Sequence, residues 1–229
     1  MEYLKSDLIA KIGKYEHYFL TKKSSLNNCF DSNSIIFPKQ IHSDKILTLR
    51  NSREWERIKD NPKPPEADAV ILLNEGMGAG VVTADCVPVI IAAKNKRAGA
   101  VIHSGWRGTV INIAGKTAKK MLEECSISPV DVYAVIGPSI GICCYEVGEE
   151  VFQKFKKTFA NNETILNEKN GKYFISLSSA VFYQLLDIGI PQKNIEIKNL
   201  CTFCRSDLFH SYRREGKSSG RQAAILLIK

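Results

Sequence analysis

Between residues 67 and 104 the chain sets four short apolar runs almost end to end: "ADAVILL" (67–73), "GAGVVTA" (78–84), "VPVIIAA" (87–93) and "AGAVIHS" (98–104). Only "NEGM", "DC" and "KNKR" separate them. Runs this brief, rich in Val, Ile and Ala, read as strands rather than helices. Connections this tight imply antiparallel hairpins and a meander. The unbroken apolar character implies burial on both faces, so other layers must cover the sheet.

The period changes after "GWRG". Val110, Ile113, Ala114, Met121 and Leu122 fall on one face of "TVINIAGKTAKKMLEE", with Lys119, Lys120 and Glu123 opposite. A strand follows at 131–137, then the loop "PSIGICCYEVG". A second helix is expected at 148–159 on Val151, Phe152, Phe155 and Phe159. "KYFIS" reads as a strand and "LSSAVFYQLLDIGI" as a third helix, which Pro191 stops. A strand "NIEIKN", the loop "LCTFCRSDLFHSYRREGKSSGR" and the apolar run "QAAILLI" follow. Strands and helices intersperse without a regular βαβ repeat, and neither a Rossmann glycine fingerprint nor a P-loop occurs. The expectation is an α+β fold: one domain over 1–229, with mixed or antiparallel layered sheets and outer helices.

Composition narrows the class of protein. Of 229 residues, 44% are hydrophobic and 24% charged, as in ordinary globular chains, and no linker or low-complexity tract divides the sequence. The Pro-rich stretch "DNPKPPEAD" (60–68) is only loop-length. No apolar run has membrane-spanning length, and the first residues lack signal-peptide architecture, so no membrane association and a cytoplasmic location are expected. A net charge of +8 raises a nucleic-acid reading, but the lysines scatter along amphipathic segments as solvated faces. No nucleic-acid partner is expected; such a field also suits anionic small substrates such as phosphate. Seven cysteines, two of them adjacent (Cys143, Cys144), suggest reduced, metal-bound or catalytic thiols rather than a disulfide framework.

Chemistry concentrates where apolar runs stop. Asp85 and Cys86 interrupt two apolar strands, a costly place for a carboxylate unless it is paired. If 87–93 and 98–104 pair about "KNKR", residue 93 faces 98 and residue 88 faces 103. Cys86 then lies within two residues of the position opposite His103. His42, in "FPKQIHSDKI", is the natural third member. One thiolate and two imidazoles with an open position suit catalytic zinc. The plain alternative makes Cys86 an inert thiol and His103 a hydrogen-bonded core residue. His17, among aromatic residues, reads as packing or surface. "CTFC" (Cys201, Cys204) is a single C-x-x-C lacking a second pair of suitable spacing, and Cys143 and Cys144 read as loop-wall residues. Arg107 beside Trp106, between Gly105 and Gly108, suits a planar heterocycle bearing a phosphate or ribose. Arg213, Arg214, Lys217 and Arg221 form a second basic group, with a mobile surface loop as the alternative.

These motifs resemble one family. "KQIHSD", "VTADCVPVII", "AVIHSGWRGT", "IGPSIGICCYEVGEEV" and "DLFHSYRREGKSSGRQAAIL" are similar, in that order, to the YfiH family, also called the laccase-domain or polyphenol oxidase family. The resemblance runs from about residue 36 onward. It implies a zinc enzyme of mixed α/β fold that phosphorolyses adenosine, inosine and methylthioadenosine to base and sugar 1-phosphate, and that deaminates adenosine. The implied ligands correspond to His42, Cys86 and His103, and the partners are purine nucleosides and phosphate. Within this reading Asp85 moves a proton during deamination, Arg107 steadies phosphate or developing charge, and Trp106, Arg213 and Arg221 line the substrate. Three alternatives stay open. One is a hydrolase of peptidoglycan precursors with Cys86 as nucleophile and His103 as base. Another is a nucleotide-binding protein without catalysis. The third is minor polyphenol oxidation with copper in the zinc site, since four histidines cannot furnish a full multicopper set.

Overall fold

The computed structural model describes residues 2–24, 34–160 and 162–229. In chain order its strands are β1 (Tyr3–Leu4), β2 (Tyr15–Leu20), β3 (Ile46–Leu49), β4 (Ala69–Leu72), β5 (Gly78–Thr83), β6 (Val87–Ala93), β7 (Gly99–Ser104), β8 (Val132–Ile136), β9 (Glu146–Val147), β10 (Leu166–Lys169), β11 (Lys172–Ile175), β12 (Ile195–Ile197) and β13 (Gln222–Ile228). The α-helices are α1 (Asp7–Ala10), α2 (Ser52–Lys59), α3 (Trp106–Val110), α4 (Ile113–Cys125), α5 (Glu149–Phe159), α6 (Leu177–Asp187) and α7 (Tyr212–Glu215). Six strands form a central sheet in the order β12-β8-β6-β7-β4-β3, and four form a second, β1-β2-β13-β5. A small sheet, β10-β11-β9, packs beside α5, where Phe152 stacks on Tyr173.

Alternation along the central strands shows how the layers form. Val87, Val89, Ile91, Ala100 and Ile102 pack with Ile113, Met121, Phe155 and Val181 of the helices. Val70, Leu72, Ile90, Ala92 and Val101 pack with Phe19, Val81, Ala224 and Leu226 of the second sheet. Strands β4, β6 and β7 are buried along their whole length because each face has its own cover. The fold is mixed α+β: helices, a six-stranded sheet, then a four-stranded sheet.

The β6–β7 hairpin has the expected register, with Pro88 opposite His103. The rest of the expected meander is corrected. β4 pairs with β7 rather than β5, and β5 crosses to the second sheet to pair with β13. The short "NEGM" and "DC" links therefore join layers instead of neighbouring strands. Small residues in β5 permit the crossing: a Cβ on Gly80 would meet the Phe37 ring at 2.4 Å. The helices at 113–125, 149–159 and 177–187 form on the expected apolar stripes, although Val151 and Phe159 are only partly buried and Val110, expected on the first of them, lies in the separate helix α3, which ends before Asn112 turns left-handed (φ 61°). Helix α2, which the sequence reading leaves out, is capped by the Asn51 side chain, which accepts from the Glu54 amide. Among the described residues, no helix is long and apolar enough to cross a membrane.

Candidate active site

The start of β6 and the end of β7 meet at one end of their hairpin, beside the Asp85–Cys86 crossing from β5. There a cleft of about 740 Å³ is lined by, among others, His42, Asp85, Cys86, His103, Arg107 and Tyr145. Pleat alternation accounts for the floor. His103 follows Val101 on the face toward the second sheet, and Asp68, two residues before Val70, falls on the same face in the adjacent strand.

His103 and Asp68 are 3% and 0% exposed, and His103 Nδ1 lies 2.9 Å from Asp68 Oδ1. That contact leaves Nε2 as the imidazole's ligand atom. The same carboxylate accepts hydrogen bonds from the amides of His42 (3.0 Å) and Ser43 (2.7 Å) and from the Ser43 hydroxyl (2.9 Å). His42 takes a left-handed backbone conformation (φ 59°), and these bonds hold it there. Its ring meets that of His103 edge to face at 4.8 Å. The ligand atoms of His42, Cys86 and His103 all lie within 4.8 Å of one another. Gly105 completes the cradle, since a Cβ there would stand 2.9 Å from His42 Nδ1 and 3.0 Å from Cys86 Sγ.

Burial opposes charge on His103, but the neighbouring Cys86 and Asp68 outweigh it and push the imidazole up to about 9. Burial would raise Asp68, yet its bonds to His103 and Ser43 hold it well below the usual carboxylate range. His42 is shifted down, first by burial and then by the charge on His103. Two imidazoles and one thiol, with a carboxylate behind one imidazole and an open side toward the cleft, fit a single transition-metal ion.

Asp85 sits at the crossing from β5 to β6 with φ 85° and is buried. Its Oδ1 accepts from the Thr202 hydroxyl at 2.6 Å, and its Oδ2 from the Ser211 hydroxyl (3.0 Å) and the Arg213 amide (2.7 Å). The carboxylate thus ties the 202–213 segment to the floor. Cationic side chains pair with aromatic rings around the cleft: Arg107 lies 4.3 Å above Trp106, Arg213 5.2 Å above Tyr145, and Arg221 5.9 Å above Tyr212. Arg213 also donates to the Glu146 carbonyl (2.7 Å), and Arg221 donates to the carbonyls of Ser219 and Gly220. Burial and the nearby Cys86 charge raise Tyr145 to about 12, so it remains a neutral phenol.

Of the residues singled out from sequence, His42, Asp85, Cys86, His103, Trp106, Arg107, Arg213 and Arg221 line this one cleft, and Lys217 stands outside its lining. Arg214 does too: it braces the loop through the carbonyls of Thr202, Phe203 and Phe209. Asp68, Tyr145 and Tyr212 were missed. Asp68 carries the same signal as Asp85, a carboxylate abutting a buried strand, and Tyr145 ends the "ICCY" loop. Of the four histidines, His17 accepts from the Ser6 amide in the second sheet and His210 packs against Glu215. Only two therefore reach the cleft, too few for a multicopper cluster.

The family described as multi-copper polyphenol oxidoreductase laccase matches residues 18–229. A purine nucleoside phosphorylase of Bacteroides thetaiotaomicron is 41% identical over 85% of this chain and 73% of its own length. The adenosine deaminase RL5, from an unknown prokaryotic organism, is 36% identical over 83% of this chain and 74% of its own. The crystal structure of YfiH from Bacillus licheniformis superposes with a TM-score of 0.85 at 26% identity, covering 94% of this chain and 93% of that one. With the matched span and the shared fold in agreement, this chain belongs to the laccase-domain, or YfiH, family.

Proposed function

We propose that the protein is a zinc-dependent purine nucleoside phosphorylase that also deaminates adenosine. The observation that carries this reading is the meeting, in one cleft, of an open Cys–His–His ligand set and three arginines held against aromatic rings. The names of its relatives, phosphorylases and a deaminase, supply the substrate class.

Held by His42, Cys86 and His103, zinc would supply Lewis acidity and lower the pKa of water at the cleft floor. Arg107, Arg213 and Arg221 gather phosphate; two of these guanidiniums are already fixed by backbone carbonyls, which lowers the ordering cost of binding. Trp106 and Tyr212 give the purine flat surfaces to lie against. In phosphorolysis a phosphate oxygen bonds to C1′ as the C1′–N9 bond breaks, and the base leaves with a proton. Tyr145, kept protonated, is an O–H donor for the departing purine. Positive charge growing on the sugar is met by the phosphate that the arginines orient. Asp85 positions the wall; with three donors on a carboxylate that accepts about four, one lone pair is left for proton transfer in deamination.

The test is zinc-loaded protein with adenosine, with and without phosphate. The expected products are adenine and ribose 1-phosphate only when phosphate is present, with inosine as a parallel product. Both should vanish on chelation and return with zinc. Turnover that survives chelation but stops on thiol alkylation would favour the cysteine hydrolase instead. Tight nucleoside binding without turnover would leave only a binding protein.

A further inference from the structure

A second group of potential metal ligands, made of thiols alone, is separate from the His42–Cys86–His103 set. "CTFC" was expected to lack a partner pair, and Cys143 and Cys144 to be loop-wall residues. The structure corrects this: the Sγ atoms of Cys143, Cys144, Cys201 and Cys204 all lie within 4.8 Å of one another. In a strand, adjacent side chains would point to opposite faces. Here residues 142–144 form a turn in which the amides of Cys144 and Tyr145 both donate to the Gly141 carbonyl. That turn brings both neighbouring thiols to Cys204, at 3.8 Å from Cys143 and 3.3 Å from Cys144.

We propose that Cys143, Cys144, Cys201 and Cys204 hold a structural zinc ion that locks together the two loops forming one wall of the cleft. Tetrahedral zinc with Zn–S bonds of about 2.3 Å places sulfurs about 3.8 Å apart, close to the spacings found. All four thiols are free. The Gly141 amide donates to Cys201 Sγ at 3.2 Å, the kind of hydrogen bond that steadies a ligating thiolate. Gly141 also keeps the approach open, since a Cβ there would stand 3.1 Å from Cys143 Sγ and 3.3 Å from Cys201 Cβ. Four sulfurs leave no open position, so the ion is structural, and a soft donor set selects zinc over magnesium or calcium.

Its position defines the role. Tyr145 follows Cys144 and reaches the cleft, while Thr202 follows Cys201 and holds Asp85. Ser139 and Cys201 already form a backbone bridge between the two loops, and the ion would fasten their tips. This site stands independently of the reaction assigned to the cleft.

The experiment is metal analysis of protein purified anaerobically in reductant and loaded with zinc. Wild type should carry two zinc ions per chain. The His103→Ala variant should retain one, released by a mercurial thiol reagent, and its cobalt derivative should show intense thiolate charge-transfer absorption. Cys201→Ser with Cys204→Ser should also retain one, with only the much weaker absorption of the single Cys86 thiolate; Cys143→Ser, which leaves the C-x-x-C intact, serves if the double variant does not fold. The proposal is overturned if wild type binds a single zinc that His103→Ala abolishes, if Cys144 and Cys204 are recovered as a metal-free disulfide, or if iron occupies the cluster. Loss of phosphorolysis with both zinc ions present would instead count against the reaction alone.

Discussion

The carboxylate of Asp68 touches His103 through its side chain and His42 through its backbone, so one buried anion sets two of the three prospective metal ligands. The Asp68→Asn variant keeps the volume but loses the charge that orients His103. Zinc affinity at this site should fall by roughly 10–100-fold, read by competition with a chromophoric chelator. An unchanged affinity would show that the ligands hold their places without Asp68.

Gly105 has φ −76°, which any residue adopts, so Gly105→Ala is a steric probe rather than a backbone one. Its methyl group would press on His42 Nδ1 and Cys86 Sγ. Zinc binding at the cleft should weaken sharply while circular dichroism stays native. Unaltered binding together with a native fold would mean the ligand set yields freely.

Replacing Asp85 by Ala strips three hydrogen bonds and leaves a non-glycine residue at φ 85°. Stability should drop by about 2–4 kcal/mol, read from urea unfolding. Asp85→Asn should cost less, because Asn tolerates that backbone and keeps one acceptor oxygen. Equal losses in the two variants would assign the effect to charge alone.

Arg107 is exposed on the cleft wall, over Trp106. In the proposed reaction, Arg107→Ala should raise the KM for phosphate about 10-fold or more, as loss of a charge-assisted hydrogen bond implies. Arg107→Lys should restore part of it. A KM for phosphate unmoved by Ala would remove Arg107 from the phosphate site.

His17 offers a pH test away from the cleft. Burial, with Lys5 adding to it, lowers its pKa to about 4, and its Nε2 accepts from the Ser6 amide at 2.7 Å. A depressed histidine stabilises the fold above its unfolded value of about 6.5, and that contribution is lost as pH falls through about 4. On the order of 3 kcal/mol should vanish across that window. Thermal unfolding followed against pH should show the decline, and His17→Gln should flatten it.

The cleft's chemistry was legible because ligands sit where apolar periodicity fails. A hairpin register counted from "KNKR" suffices to bring Cys86 toward His103, and the coordinates agree at Pro88 and His103. Which sheet a strand joins was not legible. β5 and β6 look alike in composition, and only packing against β13, far along the chain, separates them. Asp68 carried the signal of a carboxylate abutting a buried strand, but its pairing with His103 and with the 42–43 loop follows from the β4–β7 register, which the expected meander did not contain. The thiol cluster escaped because adjacent cysteines converge only through a turn whose shape the residue types do not announce.

β13 lies between β2 and β5, pairing with both, so the second sheet is joined by contacts that span most of the chain. Such pairings form slowly, because a long loop must close before any contact repays its entropy. Until β13 docks, β2 and β5 are open edges inviting other chains. The floor ligands, on β7 and on the segments leading into β3 and β6, need only the central sheet to meet; the Asp85 latch to residues 202–213 must wait. During folding, then, the prospective zinc site at the floor should exist for a time as an open shelf, exposed to whatever metal the surroundings supply.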